Sequence, residues 1–411
     1  MTATELFQPL QGIRVLDFSR ILAGPYCTMV LADMGAEVIK IERPGTGDET
    51  RAWGPPFVGG ESAYFLCVNR NKKSVVVDLS QPEGRQIIHD LASRSDVLVE
   101  NFRPGAMEKL GLGYDQLRAI NPRLVYCAIS GFGRSGPDRD RAGVDVIVEG
   151  VGGLMSITGE PGGPPVKVGV AIIDVATALH AHGAIIAALF ERERTGNGRR
   201  LDFSLLEVQI ATLINIGSDY LIGGVVPQRW GSAHTSIVPY QAFEASDGYV
   251  VVGAVNESLW HRFCAAVEQP HLAHDPRFAT NQLRGEHRVE LLKLLQPIFH
   301  GRPRADWLDR FRSQGIPCGP INMLDEVYED PQVQHLGIVQ EIDHPSAGRI
   351  KLAGSPIRAD DQQLRIRLPP PRLGEHTEAV LMHDLGYEIE RIEQLAKAGV
   401  INERPETASA R

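Results

Sequence analysis

Residues 13–42 read IRVLDFSRILAGPYCTMVLADMGAEVIKIE, and this stretch decides the fold class. The apolar run Ile13–Phe18 predicts a strand, and Ala23-Gly-Pro25 predicts the start of a helix through Met34. A second strand-like run follows at Ala36–Glu42. Two strands joined by a helix form the crossover unit of parallel sheets, so we expect an α/β protein. The first turn lacks GxGxxG, which disfavours a nicotinamide dehydrogenase.

The same alternation continues along the chain and predicts a large domain over residues 1–220. Ser80-Gln-Pro-Glu83 has the spacing of a capping box at the start of a helix. Because strands alternate with helices, we expect a mostly parallel sheet that is covered on both faces. The further predicted elements are strands at 74–78, 96–100 and 123–129 and helices at 80–93 and 114–120.

Beyond about residue 225 the pattern changes, and we expect a smaller α+β domain over residues 221–332. Gly248–Gly253 predicts an antiparallel strand after a tight turn. Residues 333–411 are expected to return to the large domain as a C-terminal segment. The predicted helices of these two regions are 256–267, 285–299, 304–314 and a helical stretch near 376–397.

The composition of the 411 residues limits the function classes. A hydrophobic content of 43% and a net charge of −9 indicate a soluble globular protein and argue against nucleic acid or membrane partners. The five cysteines are scattered without zinc spacing, so we expect no metal site and a cytoplasmic location. The first ten residues lack the basic start and apolar core of a secretory signal and the arginines of a transit peptide, so we expect no targeting segment there. The apolar run 168–190 is expected to be a buried helix.

Asp174 is the one charged residue inside that apolar run. One interpretation is that its carboxylate caps the helix that follows, where free backbone N–H groups and the helix dipole favour negative charge. The other is that a partly desolvated carboxylate at a helix start is a nucleophile. The two interpretations are compatible, because the N–H groups of a cap would also keep the carboxylate ionised.

Several motifs together resemble the class III CoA-transferases, the group that contains formyl-CoA transferase, carnitine CoA-transferase and α-methylacyl-CoA racemase. The match runs from Leu10 to the C-terminus, and its ordered motifs are Leu16–Pro25, Gly35–Gly45, Asn69–Ser74, Val99–Gly105 and the Asp174 helix ending in Glu193–Arg199. Other segments are similar to the branch that transfers CoA from succinyl-CoA to glutarate, namely Arg51–Phe57, Arg229–His234, Ile237–Phe243 and Gly319–Asn322.

The resemblance implies both a fold and an activity. The fold is a large Rossmann-like, doubly wound domain with a smaller domain, and two chains form an interlocked, ring-like homodimer. The activity is CoA exchange between short dicarboxylic acids, with succinyl-CoA as donor and glutarate or a related C4–C6 dicarboxylate as acceptor. Asp174 takes the position of the nucleophile and forms an aspartyl mixed anhydride. CoA thioesters are then substrates, and no tightly bound cofactor or metal is needed.

The resemblance also implies roles for other residues. It places Arg43 beside the adenine ring, Lys72 and Lys73 near the phosphates, and Asn101, Phe102 and Lys109 along the nucleotide and pantetheine channel. From the residues alone, a solvated turn before a strand is the favoured interpretation of Asn69–Lys73, and the resemblance favours the binding role. The remote carboxylate of the acceptor needs a cation. Our hypothesis is that Arg70 and Arg284 clamp it; the further candidates are Arg20, Arg51, Arg229 and His234.

Two departures from the family pattern separate the alternatives. Trp230–His234 stands where formyl-CoA transferase has a tetraglycine loop, which disfavours oxalate and formyl-CoA. Gly143-Val-Asp145 lacks the histidine of the racemase branch, so an acyl-CoA racemase or epimerase would need another base, such as His180 or His182. A CoA-binding paralogue without activity is the third possibility.

Overall fold

The computed structural model describes residues 7–402, which divide into two compact units. The larger unit contains residues 7–154, 168–218 and 337–402, and the smaller unit contains residues 155–167 and 219–336. The chain therefore leaves the larger unit, builds the smaller one and then contributes a C-terminal segment to the larger unit.

A parallel sheet forms the centre of the larger unit. The first eight strands are β1 (Arg14–Asp17), β2 (Glu37–Glu42), β3 (Phe57–Val58), β4 (Glu61–Ser62), β5 (Lys72–Val76), β6 (Val97–Glu100), β7 (Val125–Ser130) and β8 (Arg200–Ser204). β3 and β4 form a separate hairpin, and the others lie in the order β5-β2-β1-β6-β7-β8. This is the 3-2-1-4-5-6 order of doubly wound sheets, whose ligand crevice opens where the winding reverses, here beside β1 and β6.

Helices cover both faces of this sheet. On β1 the side chain of Leu16 enters a core with α3 and α5, and that of Val15 enters a second core with α1 and α8. The prediction of a sheet covered on both faces is thus confirmed. The helices up to the smaller unit are α1 (Ala23–Asp33), α2 (Ala63–Cys67), α3 (Pro82–Ala92), α4 (Ala106–Lys109), α5 (Tyr114–Ile120), α6 (Asp145–Val151), α7 (Leu154–Ile157), α8 (Ile172–Thr195), α9 (Leu205–Thr212) and α10 (Ile214–Leu221).

α8 is the long apolar helix that the sequence predicts. Ile173, Ala181, Ile185 and Leu189 are buried in the core that α8 shares with α1. By length and composition α8 could also cross a membrane, since its most apolar window has a mean hydropathy of 1.6, and 39% of that window is buried. Packing against α1 and the sheet makes α8 a core helix with a substantial exposed apolar face.

The capping box predicted at Ser80 is wrong. α3 begins at Pro82, and its N-cap Gln81 makes no side-chain cap hydrogen bond. The Ser80 hydroxyl instead donates to Asp78 Oδ1 over 2.7 Å. A local bond between neighbouring side chains has replaced the cap, which is the competition expected of serine and aspartate near a helix start.

The smaller unit packs helices on a three-stranded antiparallel sheet. Its strands, β9 (Tyr240–Ala245), β10 (Gly248–Gly253) and β11 (Cys318–Pro320), lie in the order β11-β10-β9. Its core is aromatic, with Trp260, Phe263, Phe299 and Phe311 all buried. Its helices are α11 (Glu257–Ala266), α12 (Asn281–Glu286), α13 (Arg288–His300), α14 (Arg304–Ser313), α15 (Leu324–Glu329) and α16 (Pro331–Leu336).

The C-terminal segment adds two hairpins and a helical end to the larger unit. Its elements are β12 (Val339–His344), β13 (Gly348–Ala353), β14 (Arg358–Ala359), β15 (Gln362–Gln363), α17 (Thr377–Ala379), a π-helical turn (Val380–Asp384) and α18 (Ile389–Lys397). Ile392 and Leu395 of α18 join the core beneath α3. The helical stretch predicted near 376–397 is broken at Gly386, whose φ of 73° belongs to the left-handed region.

Candidate active site

Asn101 fixes the loop at the crevice between β1 and β6. Its Oδ1 accepts from the Arg20 backbone N–H at 2.9 Å, and its Nδ2 donates to the Arg20 carbonyl at 2.8 Å. The loop then turns so tightly that a Cβ on Gly24 would lie 2.1 Å from the Ser19 Cβ, so glycine is required there. Asn101, predicted to line the channel, thus holds the loop that forms the crevice.

A cavity of about 290 Å³ opens beside this loop. Phe102 and Arg43 both line it, as the resemblance implies for an adenine site, and Arg20 lies over the Phe102 ring at 4.7 Å. Arg43 keeps 55% of its side chain exposed. The cavity therefore offers an aromatic surface and two guanidinium groups, which suit a planar base and phosphate oxygens.

Lys72 lies beneath the crevice rather than in it. Its buried ammonium donates to Asp17 at 3.0 Å, to Asn69 at 2.9 Å and to the Pro25 carbonyl at 2.8 Å. A lysine ammonium has three donors, and all three are used here. The phosphate role of Lys72 stays a prediction, and the geometry favours a structural role in holding the loop.

The other two predicted phosphate and channel lysines are accessible. Lys73, next on β5, forms an ion pair with Glu37 and keeps 32% of its side chain exposed. Lys109 is exposed at the end of α4. Both retain the freedom to approach an anion, and their CoA contacts stay predictions.

Asp174 lies in the first turn of α8 but does not cap it. The N-cap is Ala171, which has no side-chain acceptor. The cap comes from Asp145 on α6, whose Oδ1 accepts from the backbone N–H groups of Ile173 at 2.8 Å and of Asp174 at 3.4 Å. The capping interpretation of Asp174 is therefore wrong, because another carboxylate occupies the amides that a cap would bind.

The Asp174 carboxylate is left uncompensated. Within residues 7–402 it accepts no hydrogen bond and forms no ion pair. Burial, followed by the negative charge of Asp145, raises the pKa of Asp174 to about 7. The expectation that cap amides keep this carboxylate ionised is thus wrong, and at neutral pH about half of the groups carry the charge.

Tyr64 on α2 lies in the electrostatic neighbourhood of Asp174. Burial and then the charge of Asp174 raise the pKa of the Tyr64 phenol to about 12, so it stays protonated at neutral pH. Its ring packs edge-to-face against Trp53 at 5.1 Å. A neutral phenol next to a carboxylate is a hydrogen-bond donor available to a reacting oxygen.

The two arginines of the predicted clamp are engaged within their own units. Arg70 binds Asp33 through two N–H groups at 3.0 and 2.6 Å and is 4% exposed. Arg284 is fully buried in the smaller unit, where it donates to Glu257 at 2.7 Å and to the Val238 carbonyl at 2.7 Å. Both guanidinium groups already have acceptors, so their roles as a clamp stay predictions.

His234 belongs to the smaller unit and has a defined orientation. Its ring stacks on Tyr240, and its Nδ1 accepts from the backbone N–H groups of Ser236 and Ile237, both at 3.1 Å. An accepting Nδ1 leaves the proton on Nε2 in the neutral ring. His234 can therefore offer one donor, and its contact with substrate stays a prediction.

The comparisons with known proteins agree with this geometry. Residues 10–377 match the model of CoA-transferase family III. The chain belongs to CoA-transferase family III. Human succinyl-CoA:glutarate CoA-transferase is 47% identical over 396 residues, which cover 96% of this chain and 90% of the relative. Succinate–glutarate CoA-transferase of Agrobacterium fabrum is 43% identical over 394 residues, covering 94% and 97%.

A solved structure extends the similarity to three dimensions. A CAIB/BAIF family protein from Brucella suis aligns with a TM-score of 0.81 and 41% identity, over 91% of this chain and 98% of that one. This chain is therefore a CoA-transferase with CoA thioester substrates, and its α/β fold is that of its relatives. Within residues 7–402 no cluster of three or more His, Cys, Asp or Glu side chains could hold a metal ion.

Sequence reasoning missed the roles of three residues. In the sequence, Asp145 ends a racemase-like motif and is, with Glu149, a lower-ranked alternative to Asp174 as the nucleophile, whereas in the structure it accepts a hydrogen bond from the Asp174 backbone, 29 positions away in the chain. Tyr64 carries no local signal beyond its place near the Asn69–Ser74 motif. Arg20 is a candidate for the acceptor carboxylate in the sequence, yet the structure places it in the nucleotide-sized cavity.

Proposed function

We propose that this enzyme moves CoA from succinyl-CoA to glutarate or a related C4–C6 dicarboxylate through an anhydride on Asp174. The observation that carries the proposal is the Asp174 carboxylate, which is desolvated and lacks any hydrogen-bond partner in residues 7–402. A carboxylate without donors keeps its lone pairs free for attack, and a raised pKa makes it more basic.

The first half of the reaction charges the enzyme. A carboxylate oxygen of Asp174 attacks the thioester carbonyl carbon of succinyl-CoA, the C–S bond breaks, and CoA leaves as a thiolate. The thiolate then attacks the aspartyl carbonyl of the mixed anhydride, which releases succinate and leaves an aspartyl-CoA thioester. The bond energy of the thioester is retained throughout, so no ATP is consumed.

The second half repeats these steps in reverse with the new acid. A carboxylate oxygen of glutarate attacks the aspartyl-CoA carbonyl and releases the CoA thiolate. The thiolate attacks the glutaryl carbonyl of the resulting anhydride, which gives glutaryl-CoA and regenerates the Asp174 carboxylate. Each step forms one acyl bond and breaks one, and no proton has to be transferred to a leaving thiolate.

The cavity at the crevice supports binding of the nucleotide end of CoA. Its volume of about 290 Å³ and its lining by Phe102, Arg20 and Arg43 match a base that stacks and phosphates that need cations. Its place at the carboxyl ends of β1 and β6 is where doubly wound sheets bind ligands.

The choice of acceptor is tested with a panel of acids. With succinyl-CoA as donor, we expect glutarate and other C4–C6 dicarboxylates to give acyl-CoA products much faster than oxalate or the monocarboxylate butyrate. Incubation of a chiral 2-methylacyl-CoA in D₂O is the companion measurement. Deuterium entering Cα without any CoA exchange would overturn the proposal in favour of a racemase.

We propose that Arg70 and Arg284 each bind the remote carboxylate of the acceptor acid. Arg70→Lys and Arg284→Lys distinguish the two roles, because lysine keeps the charge and loses the two-pronged fork. A clamp requires a higher KM for glutarate with an unchanged melting temperature. A drop in melting temperature with an unchanged KM would assign these arginines to the fold instead.

We also propose that the protein is a homodimer whose interface covers the apolar faces of α6, α8, α9 and α10. α6, α8 and α9 pack against one another, and α10 follows α9 directly in the chain. The large apolar side chains that these helices and the N-cap of α6 expose, by 41–73% each, are Val144, Val146, Ile147, Val151, Leu179, Phe190, Ile210 and Ile214. An apolar surface of this extent is unusual for a monomer, and a second copy of the chain is the occupant that the family resemblance implies.

The dimer is tested by light scattering after gel filtration. We expect twice the chain mass for the wild type and a monomer, or a much weaker dimer, for Ile147→Glu. Val289→Glu is the matched control, since Val289 is 66% exposed in the smaller unit, away from these helices in the sequence. A wild-type protein that stays monomeric at micromolar concentration would contradict this proposal.

A further inference from the structure

Asp145 is a buried carboxylate that the reaction above does not use. It is 8% exposed at the first residue of α6, and the atom that faces α8 is Oδ1. That single oxygen accepts two backbone N–H groups, those of Ile173 and of Asp174 itself. These are the second and third residues of α8, whose amides an N-cap side chain ordinarily binds.

We propose that Asp145 is a positioning residue for the nucleophile: from a neighbouring helix it caps α8, and it places a second negative charge at the helix turn that carries Asp174. The inference rests on the proposed function, because it assumes that Asp174 attacks the thioester. It assigns to Asp145 a part in the reaction without contact to the substrate.

The first part of the argument is competition for hydrogen-bond donors. Two carboxylates lie near one helix start, and the amides there can satisfy only one of them well. Since Asp145 holds the amides, Asp174 projects from a fixed first turn without donors of its own in residues 7–402. A carboxylate that gives up no hydrogen bond before attack loses less solvation at the transition state.

The second part is the balance of charge around Asp174. α8 packs against α1, α6, α9, β7 and β8, and Tyr64 approaches from α2. Besides Asp145, the titratable or charged residues on these packed elements are Tyr26, Cys27, Asp33, Tyr126, Cys127, Glu149, Arg200, Asp202 and Glu207. Of these, Asp145 is the residue whose charge, after burial itself, raises the pKa of Asp174. The negative charge of Asp145 therefore makes ionisation of the Asp174 carboxyl group less favourable.

The test is the pH dependence of the first half-reaction. The rate of adduct formation on Asp174 with succinyl-CoA is measured by quenched-flow mass spectrometry from pH 5 to 9. Asp145→Asn keeps an oxygen for the cap and removes the charge. We therefore expect the acidic limb of its pH–rate profile, where the rate of adduct formation falls with falling pH, to move to lower pH by about one unit. Relative to its own plateau, the variant then forms adduct several-fold faster than wild type at pH 5.5.

Two further variants separate charge from capping. Asp145→Ala removes both the charge and the capping oxygen. We expect the acidic part of its pH–rate profile to move to lower pH, as in Asp145→Asn, and its maximal rate of adduct formation to be about tenfold lower, because the first turn of α8 loses its cap. Glu149→Gln replaces another buried acidic side chain on the same helix, and we expect its pH profile to coincide with that of the wild type. Asp145→Ser, a second neutral variant with an acceptor oxygen, repeats the test if Asp145→Asn folds poorly.

The outcomes are distinct. An acidic limb for Asp145→Asn and Asp145→Ser that coincides with the wild-type limb would overturn the role of Asp145, even if their melting temperatures fall. A limb that moves equally in Glu149→Gln would overturn it too, because the effect would then be general. Absence of any adduct on Asp174 in the wild type would instead overturn the proposed function.

Discussion

Two buried acidic sites in the larger unit differ in what surrounds them. Asp17 is fully buried, yet Lys72 and Lys40 outweigh the cost of burial and hold its pKa at about 2. Asp174 is less buried, no cation of the described residues 7–402 compensates its charge, and its pKa rises to about 7. The first carboxylate is part of a closed ion network, and the second keeps a reactive lone pair. Compensation of charge, rather than burial alone, separates a structural carboxylate from a chemical one.

The buried network of Asp17, Asp48, Lys40 and Lys72 holds the loop that follows β1. Lys72 pairs with Asp17 and donates to the Pro25 carbonyl at 2.8 Å. Lys40 pairs with Asp48 and donates to the Ser19 carbonyl, also at 2.8 Å. Both lysines therefore fix the loop that borders the nucleotide-sized cavity. The charges of Lys40 and Lys72 thus stabilise the conformation of this loop from beneath.

The largest expected effect comes from the open site. Asp174→Asn removes the nucleophile and keeps the shape of the side chain, so we expect CoA exchange to fall by at least about 10⁴-fold. The measurement is a coupled assay with succinyl-CoA and glutarate on freshly prepared protein. Retained activity, in a sample that mass spectrometry shows to be free of deamidated Asp174, would break the contrast between the two sites.

The closed network predicts a large effect on stability instead. Lys72→Met leaves Asp17 charged and unpaired in the core, so we expect the free energy of unfolding to fall by about 3–5 kcal/mol. Lys73→Met is the matched control on the same strand, where a half-exposed pair contributes at most about 1 kcal/mol. Urea denaturation measures both. If the two variants lost the same free energy of unfolding, the buried ion pair of Lys72 would contribute no more to stability than the half-exposed pair of Lys73.

The pH dependence of acylation sharpens the comparison. The ionised fraction of Asp174, with a pKa of about 7, rises from about 1% at pH 5 to about half at pH 7. We expect the single-turnover rate of adduct formation to rise about 50-fold over this range. If the rate of adduct formation did not change from pH 5 to 7, the pKa of Asp174 would lie in the ordinary carboxylate range. The proposed contrast between an uncompensated Asp174 and a compensated Asp17 would then be wrong.

The smallest expected effect is on thermal stability. The folded-state pKa of Asp174 lies above its unfolded value, so the group stabilises the fold at low pH and this contribution is lost as pH rises toward 7. Asp174→Asn should therefore raise the melting temperature by about 2–4 °C at pH 8 and by progressively less towards pH 4. A variant that melts below the wild type at pH 8 would contradict this sign.

The elements of the fold could be predicted because their signals are local. The alternation of strands and helices in residues 13–130 reports the parallel sheet, and Pro25 lies in the first turn of α1 as its fixed φ favours. The cap of α3 could not be predicted from spacing, since Ser80 bonds a neighbouring aspartate instead. Local patterns thus identify elements more reliably than they identify the partners of single side chains.

The candidate site divides in the same way. The sequence identifies Asp174 as an unusual charge, and Asn101 and Phe102 follow a strand whose end forms the crevice. The ion pairs of Lys72 and Arg70 could not be assigned, because their carboxylate partners Asp17 and Asp33 lie 55 and 37 positions away in the chain. Whether a cation is free for a ligand depends on contacts that only the folded chain defines.

The most direct measurement is a mass spectrum of the enzyme after mixing with succinyl-CoA and trapping with hydroxylamine. Hydroxylamine converts an aspartyl thioester or anhydride into a hydroxamate, which raises the mass of one peptide. We expect this modification on Asp174 in the wild type and no modification at position 174 in Asp174→Asn. A fully active enzyme without any modification at Asp174, or with the modification on another carboxylate, would contradict it.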